Sequence, residues 1–315
     1  PFCHKSPQAP MARTSPHPAP GLLDRLDLLL LRLAKRGRQD LTDSAGHGDF
    51  YDSFFTEEDA VKYAADVRNA WRYGAIRRVM DDLFGERPFR MADIGAGLGM
   101  LARYLPPGAD FTGIEYAPAT LEAARRLNGR RPASRFIQGG FPALPADDGA
   151  FDLVVCTEVV EHIKDDRQAI GELWRIVRPG GWLLLTVPGT YYWPDYERLI
   201  GHFRHYTGPG LDALLTAAGF TIDRHLPQHS RFWRGYHYVY ALARVGQSVL
   251  RRLGWRHFDL FSTGLYRWQS RRILQRLATA DRRSDPASTF VLARRPLPES
   301  TGPENTGPDR PGRPA

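Results

Sequence analysis

The sequence predicts an α/β fold: a doubly wound, mostly parallel seven-stranded sheet with a helical insertion before the last strand. Short apolar segments alternate with stretches of helical periodicity from residue 89 onward, which indicates a sheet covered by helices on both faces. The runs at 153–156 and 183–185 are apolar without interruption, as expected for strands buried on both sides. Apolar residues make up 42% of the chain, which is enough for a substantial core.

Seven apolar segments are the predicted strands. They span residues 89–95, 110–116, 134–140, 151–158, 182–189, 221–228 and 288–296. Helical patterns occur before the first strand and between later ones. These patterns cover residues 57–84, 100–105, 118–129, 165–177 and 210–220. The sequence "RPGG" after residue 177 predicts a helix end followed by a turn.

The two ends of the chain differ from this pattern. Residues 1–20 contain six prolines and almost no apolar periodicity, and 296–315 are similarly rich in proline and polar residues. Such segments bury too little apolar surface to offset their ordering entropy. We therefore divide the chain into a disordered tail, N-terminal helices, an α/β core, a basic aromatic helical insertion, the last core strand and a second disordered tail. Their bounds are 1–20, 21–84, 85–228, 229–286, 287–295 and 296–315.

Cysteine usage and hydropathy favour a cytoplasmic protein. The two cysteines, Cys3 and Cys156, lie in different kinds of segment, so no disulfide framework is expected. The apolar stretch 21–37 is too short to span a bilayer and carries several charges. We interpret it as an amphipathic helix packed on the domain.

The segment 229–283 is strongly basic and aromatic. Between Arg231 and Arg283 there are twelve arginines and two acidic residues. Three interpretations stay open: a substrate cap with a solvated basic face, a surface for peripheral contact with an anionic membrane, and a nucleic-acid-binding surface. The third is the least favoured, because no recognised RNA-binding module accompanies the segment.

Three glycines at alternate positions follow the first predicted strand. Asp93 ends this strand, and Gly95, Gly97 and Gly99 form the turn behind it. In parallel sheets such a turn presents backbone N–H groups to a ligand, although a merely tight turn would use the same residues. Glu115 ends the second strand and is placed to accept hydrogen bonds from a ribose diol. The spacing differs from the G-x-G-x-x-G of dinucleotide sites, which favours a ligand with one nucleoside and no pyrophosphate.

The chain resembles the class I S-adenosylmethionine-dependent methyltransferases, in their bacterial small-molecule and lipid-like O-methyltransferase branch. Five motifs carry the resemblance and occur in the family's order. They are "ADIGAGLG" (92–99), "GIEYAP" (113–118), "ALPADDGAFDLVVCTEVVEHI" (143–163), "RIVRPGGWLLLTVP" (175–188) and "HFRHYTGPGLDALLTAAGF" (202–220). The resemblance implies a Rossmann-like sheet that ends in an antiparallel strand.

The resemblance also implies how S-adenosyl-L-methionine would be held. Gly95 and Gly97 would pass beneath the methionine part, with Asp93 oriented toward it, and Gly99 completes the cofactor-binding turn. Glu115 would hold the ribose hydroxyls, Tyr116 would flank the adenine, and Thr157 would line the cavity near the sulfonium. Relatives often carry an acid after the third strand that bonds the adenine amino group. This chain has "QGGF" there, so Gly140 and Phe141 are the candidates instead. Arg72 is a further candidate, for the cofactor carboxylate.

Proton-accepting side chains follow the fourth strand. The sequence "TEVVEHI" places Glu158, Glu161 and His162 beside the expected cofactor, and these are the candidate catalytic residues. Similar E-x-x-E-H patterns occur in ubiquinone-pathway O-methyltransferases and small-RNA 2′-O-methyltransferases, where they bind a divalent metal together with a further His. The corresponding set here is Glu158, Glu161, His162 and His202. We expect His162, rather than His202 or His205, to act as a base or a loop anchor, and a bound divalent metal is the less favoured alternative.

These features predict an S-adenosylmethionine-dependent methyltransferase that acts on an oxygen of a small metabolite, glycan or lipid-like acceptor. Two alternatives remain at this stage. One is a nucleoside-binding protein without catalysis, and the other, less favoured by the glycine spacing, is a nicotinamide-dependent oxidoreductase. We expect no nucleic-acid partner.

Overall fold

One sheet organises the part of the chain that the structure describes. The computed structural model describes residues 67–128, 134–188, 201–226 and 288–298, together with a few positions between 246 and 272. The strands are β1 (Phe89–Ile94), β2 (Ala109–Glu115), β3 (Ser134–Gln138), β4 (Phe151–Thr157), β5 (Val177–Pro188), β6 (Thr221–His225) and β7 (Ser288–Arg294). Their order across the sheet is β3-β2-β1-β4-β5-β7-β6. Strand β7 runs antiparallel to both neighbours, and the other pairs are parallel. The predicted doubly wound, mostly parallel sheet is confirmed.

Helices cover both faces of this sheet. The α-helices within the described residues are α1 (Val67–Phe84), α2 (Pro118–Asn128), α3 (Asp166–Ile176) and α4 (Gly208–Ala217). Two of them begin at side-chain caps that the sequence contains. Asp165 accepts a hydrogen bond from the Gln168 N–H at the start of α3, and Thr207 accepts one from the Gly210 N–H at the start of α4. Such caps satisfy backbone donors that the first turn leaves unpaired.

Two predicted elements differ in the structure. The segment at 100–105 forms a 3₁₀ turn (Met100–Tyr104) rather than an α-helix, because Pro106 and Pro107 follow at once and disfavour helical backbone. The "RPGG" segment lies within β5, which begins at Val177 instead of 182. The pairing of β4 with β5 changes register there, so the predicted turn is an irregularity inside one strand.

The sheet separates two apolar clusters, which explains the uninterrupted apolar runs. Along β4, Leu153 and Val155 belong to the cluster that also contains residues of α1 and α2. Val154 and Cys156 belong to the cluster with residues of α3 and α4. Successive side chains of a strand point to opposite faces, so a strand covered on both faces needs apolar residues throughout.

Several sequence predictions fall outside the described residues. They include the N-terminal helical segment before residue 67, both tails and most of the basic insertion 229–286. No helix in the described portion is both long and apolar enough to cross a membrane.

Candidate active site at the carboxyl end of the sheet

The predicted site residues lie at the end of the sheet where its parallel strands have their carboxyl ends. Strands β1, β2, β4 and β5 are mutually parallel neighbours, so their carboxyl ends lie on the same side. Asp93, Glu115 and Thr157 stand at or next to three of these ends. Ligands of open α/β sheets bind in the crevice outside these ends.

The three glycines after β1 serve different purposes. All three have positive φ, at 70° for Gly95, 53° for Gly97 and 69° for Gly99. A Cβ on Gly95 would overlap the side chain of Val159, and one on Gly99 would lie 2.6 Å from the ring of Phe136. A Cβ on Gly97 would meet no atom within 4 Å. Two glycines therefore allow close packing, and Gly97 presents its backbone to open space, where a ligand fits.

Glu115 supports this loop from β2. Its carboxylate is buried and accepts hydrogen bonds from the Gly97 N–H at 2.8 Å and the Ala117 N–H at 2.9 Å. A carboxylate can accept up to about four hydrogen bonds, so these two backbone bonds do not exclude hydrogen bonds from a ribose diol. The residue thus fits the cofactor role that the sequence assigned to it, and it also fixes the loop against which the cofactor would lie.

Asp93 is a buried carboxyl group with an altered protonation equilibrium. Burial, with a smaller contribution from the nearby charge of Glu115, raises the pKa of Asp93 from 3.8 to about 8. Between these two pH values the carboxyl group of Asp93 is therefore protonated in the folded protein and ionised in the unfolded chain. Such a difference makes stability fall as pH rises through the range between the two values.

Replacing Asp93 with asparagine should remove this dependence. From about pH 4 to about pH 8 we expect the wild-type free energy of unfolding to lose about 1.4 kcal/mol per pH unit from this group. The variant should lack that loss and be the more stable of the two near pH 8. Urea unfolding of the cofactor-free protein across the range measures the effect, with Asp110→Asn as an exposed aspartate control. Equal slopes in wild type and Asp93→Asn would contradict the assignment.

The predicted adenine side lies beyond β2 and β3. Tyr116 is 56% exposed, and a Cβ on Gly140 would lie 3.0 Å from its ring. Phe141 is partly buried and packs against the apolar cluster that contains Leu144, so less of its ring is accessible to a ligand. Tyr116 therefore offers the accessible aromatic surface, with Gly140 beside it.

Glu158 occupies a strained position directly after β4. It is a non-glycine residue with φ of 56°, a conformation that costs energy and is often found at functional sites. Its Oε1 accepts a hydrogen bond from the Thr186 hydroxyl at 2.9 Å and lies 3.6 Å from Nη2 of Arg72. Arg72, a candidate for the cofactor carboxylate, is therefore paired with Glu158 in this structure. Thr186 was not singled out from the sequence, although it lies directly opposite Thr157 in the β4–β5 pairing.

Glu161, His162 and His202 come together beside Glu158. Oε1 of Glu161 lies 3.9 Å from Nε2 of His162 and 4.0 Å from Nε2 of His202. The Glu161 side chain is fully buried, and neither of its oxygens has a hydrogen-bond partner. Burial, and next the charge of Glu158, raise the pKa of Glu161 well above its ordinary value. One ligand atom from each of these three residues lies within 4.8 Å of the others, whereas Glu158 is outside this group.

Backbone contacts hold the two histidines in place. Nδ1 of His162 lies 3.0 Å from the carbonyl oxygen of Gly201. A carbonyl can only accept, so Nδ1 carries the proton and Nε2 of the neutral ring carries the lone pair. The Phe203 N–H donates to the Glu161 carbonyl, and Arg204 donates to the carbonyl of Ile163. These bonds bring His202 against a segment 40 positions earlier in the chain, and His162 contacts the same loop through the Gly201 carbonyl.

Comparison with known proteins agrees with this architecture. A family model described as a methyltransferase domain matches residues 92–185. The demethylmenaquinone methyltransferase of Thermus thermophilus is 32% identical over 193 residues, which are 51% of this chain and 85% of that protein. The malonyl-[acyl-carrier protein] O-methyltransferase of Pseudescherichia vulneris is 29% identical over 150 residues, 47% of this chain and 55% of that protein. Several other curated relatives match over about half of their own length.

A solved structure shows the same fold. Phosphoethanolamine N-methyltransferase 2 of Haemonchus contortus, in complex with S-adenosyl-L-methionine, matches with a TM-score of 0.53 at 19% identity, over 83% of this chain and 61% of that chain. The Thermus relative supplies the stronger evidence of kinship, because the match covers most of its length. The chain belongs to the class I S-adenosylmethionine-dependent methyltransferases, and it is an S-adenosylmethionine-dependent methyltransferase.

Proposed function

We propose that this methyltransferase acts on an oxygen of a small metabolite, glycan or lipid-like acceptor. The observation that carries the proposal is the orientation of His162 next to the end of β4. Its Nδ1–H is engaged by the Gly201 carbonyl, which leaves the lone pair on Nε2. A base in this position suits an acceptor that must lose a proton, as a hydroxyl does when its oxygen is methylated.

The residues after β1 and β2 fit the cofactor. Gly97 offers uncovered backbone, Glu115 has lone pairs for the ribose hydroxyls, and Tyr116 has an exposed ring for the adenine. S-adenosylmethionine supplies a methyl group on a positively charged sulfur. The protein's own task is then to align the acceptor with that methyl group and to take up the acceptor's proton.

Glu158 and Glu161 have separate roles in this proposal. Glu158 is partly exposed and held by Thr186 and Arg72, so its carboxylate can accept a hydrogen bond from the acceptor hydroxyl. Oε1 of the fully buried Glu161 lies 3.9 Å from Nε2 of His162, so this side chain packs beside the base and limits the positions that its ring can take. His162 is accordingly the base, and the two carboxylates position the acceptor and the base.

A second candidate acceptor is a quinone of the demethylmenaquinone type. It is favoured by the 32% identity to the Thermus demethylmenaquinone methyltransferase. The basic and aromatic composition of the insertion 229–283 is suited to an apolar acceptor of this kind. Trp255 and Trp268 of that insertion are 60% and 52% exposed, and the Arg272 guanidinium lies 4.6 Å from the centre of the Trp268 ring. We propose that the insertion caps the acceptor site and contacts anionic lipid surfaces from the cytoplasmic side.

A labelled-methyl assay tests the proposal and separates the candidates. The full chain is incubated with ¹³C-methyl-labelled S-adenosylmethionine and with aqueous or lipid extracts. We expect labelled product, and its ¹³C chemical shift distinguishes a methyl group on oxygen from one on carbon or nitrogen. An O-methylated product supports the proposal, and a carbon-methylated lipid product selects the quinone candidate instead. Label found only on nitrogen would overturn both.

A further inference from the structure

Thr186 is a fully buried threonine in an otherwise apolar stretch near the carboxyl end of β5. Leu184 and Leu185 before it and Val187 after it belong to the two apolar clusters of the core. A hydroxyl in such surroundings is unfavourable unless it makes a hydrogen bond. The Thr186 hydroxyl donates one to Oε1 of Glu158 at 2.9 Å. The buried hydroxyl therefore has its partner in the candidate site, directly after β4.

The same threonine also binds the backbone of Glu158. The Glu158 N–H donates to the Thr186 carbonyl at 2.9 Å, so Thr186 contacts Glu158 once on the main chain and once on the side chain. With φ of 56°, Glu158 has a conformation that persists only where the surrounding contacts hold it. The change Thr186→Val would keep the main-chain bond and lose the side-chain bond. The hydroxyl is thus the part of Thr186 that directs the carboxylate.

The two oxygens of the Glu158 carboxylate have different surroundings. Oε1 accepts the hydrogen bond from Thr186 and lies 3.6 Å from Nη2 of Arg72. Within the described ranges no group donates a hydrogen bond to Oε2, and the Glu158 side chain is 30% exposed. One oxygen is therefore anchored, and the other is available to a ligand that donates a hydrogen bond.

We propose that Thr186 is a positioning residue, which holds Glu158 by Oε1 so that Oε2 accepts a hydrogen bond from the acceptor's hydroxyl. This inference rests on the proposed function and narrows its acceptor class. An ionised carboxylate has no proton to donate to Oε2, so an alcohol or a phenol suits this site and a carboxylic acid does not. Thr186 itself contacts neither acceptor nor cofactor in this proposal and acts through Glu158.

A double-mutant cycle on the full chain measures the contact without an acceptor. The variants are Thr186→Val, Glu158→Ala and both changes together, and urea unfolding gives the equilibrium constant of each. We expect Thr186→Val to raise the unfolding constant by about 10-fold in the wild-type background, because a hydrogen bond to a charged group is lost. In the Glu158→Ala background the rise should be at most about 3-fold. Equal rises in both backgrounds would overturn the proposal.

Label transfer connects this contact to the reaction. With ¹³C-methyl-labelled S-adenosylmethionine and the aqueous or lipid extract, we expect Thr186→Val to lower the initial rate by about 10–100-fold. Thr186→Ser keeps the hydroxyl and should restore the rate, and Thr186→Val should add no further loss to Glu158→Ala. The affinity for S-adenosylhomocysteine should stay at the wild-type value in Thr186→Val, which separates a positioning effect from a disturbed cofactor site. As a control, Thr289→Val changes a buried threonine of β7 opposite Val187 and should keep the wild-type rate.

The outcomes separate this inference from the proposed function. Unchanged transfer in Thr186→Val beside a loss in Glu158→Ala, or an equal loss in Thr186→Ser, would overturn the positioning role and leave the role of Glu158 intact. A methyl ester as the labelled product would overturn the narrower acceptor class, although its oxygen is methylated. Wild-type transfer in Glu158→Ala would contradict the role that the proposed function gives to Glu158, and the inference would fall with it.

Discussion

Replacing His162 with alanine is expected to lower kcat by a factor of about 10²–10⁴ and to leave the affinity for S-adenosylhomocysteine unchanged. Nε2 of His162 lies 3.9 Å from Oε1 of the buried Glu161, and the Nδ1–H of His162 donates to the Gly201 carbonyl. The alanine variant has no imidazole to receive the acceptor's proton. Rates with the acceptor found by labelled-methyl screening, together with calorimetric titration of S-adenosylhomocysteine, measure the two quantities.

A different histidine provides the matched control for this prediction. His225 lies on β6, the edge strand three positions from β4 in the sheet, and its Nε2 pairs with Asp212 at 3.1 Å. The His225→Ala variant should retain wild-type kcat. If His162→Ala also retained it, or lost cofactor affinity in proportion to activity, the assignment of His162 to the acceptor would be wrong.

Replacing Glu115 with alanine should have its main effect on the cofactor. We expect the affinity for S-adenosylhomocysteine to fall by about 100-fold or more, since hydrogen bonds to a charged group each contribute about 1.5–3 kcal/mol. The variant also loses the acceptor of the Gly97 N–H, so the loop on which the cofactor lies would be less well fixed. Calorimetric titration with S-adenosylhomocysteine measures the loss directly.

The control for Glu115 is a glutamate on the adjacent helix. Glu122 of α2 is half exposed and pairs with Arg125, so Glu122→Ala should bind the cofactor as wild type does. Glu115→Gln keeps one oxygen acceptor and should fall between wild type and Glu115→Ala. Unchanged affinity in Glu115→Ala would show that this carboxylate does not hold the ribose, whatever its part in supporting the loop.

The glycine-rich turn shows how far local sequence could predict the site. Its position after β1 followed from the residues alone, because an apolar strand, an acidic residue and closely spaced glycines are neighbours in sequence. The separate purpose of each glycine did not follow. Val159 and Phe136, which exclude a side chain at Gly95 and Gly99, come from distant parts of the chain. Only the packed structure distinguishes them from Gly97, which faces open space.

For the residues after β4, the tertiary structure decided more of the arrangement than the sequence did. The sequence identified Glu158, Glu161 and His162 as neighbours after β4, and the family resemblance added His202. Helical spacing alone could not foresee that a left-handed residue at Glu158 would turn this side chain toward Thr186 and Arg72. It also could not foresee that Glu161 would be fully buried without a hydrogen bond.

The amino-acid order by itself determined the sheet, its parallel core and the glycine-rich loop after β1, because apolar runs, caps and glycines act over a few residues. Tertiary structure alone decided which charged groups share a buried space. That decision depends on hydrogen bonds between segments far apart in sequence, such as the Phe203 N–H with the Glu161 carbonyl, which bring His202 to Glu161. Burial then gives these groups electrostatic properties that no local pattern encodes.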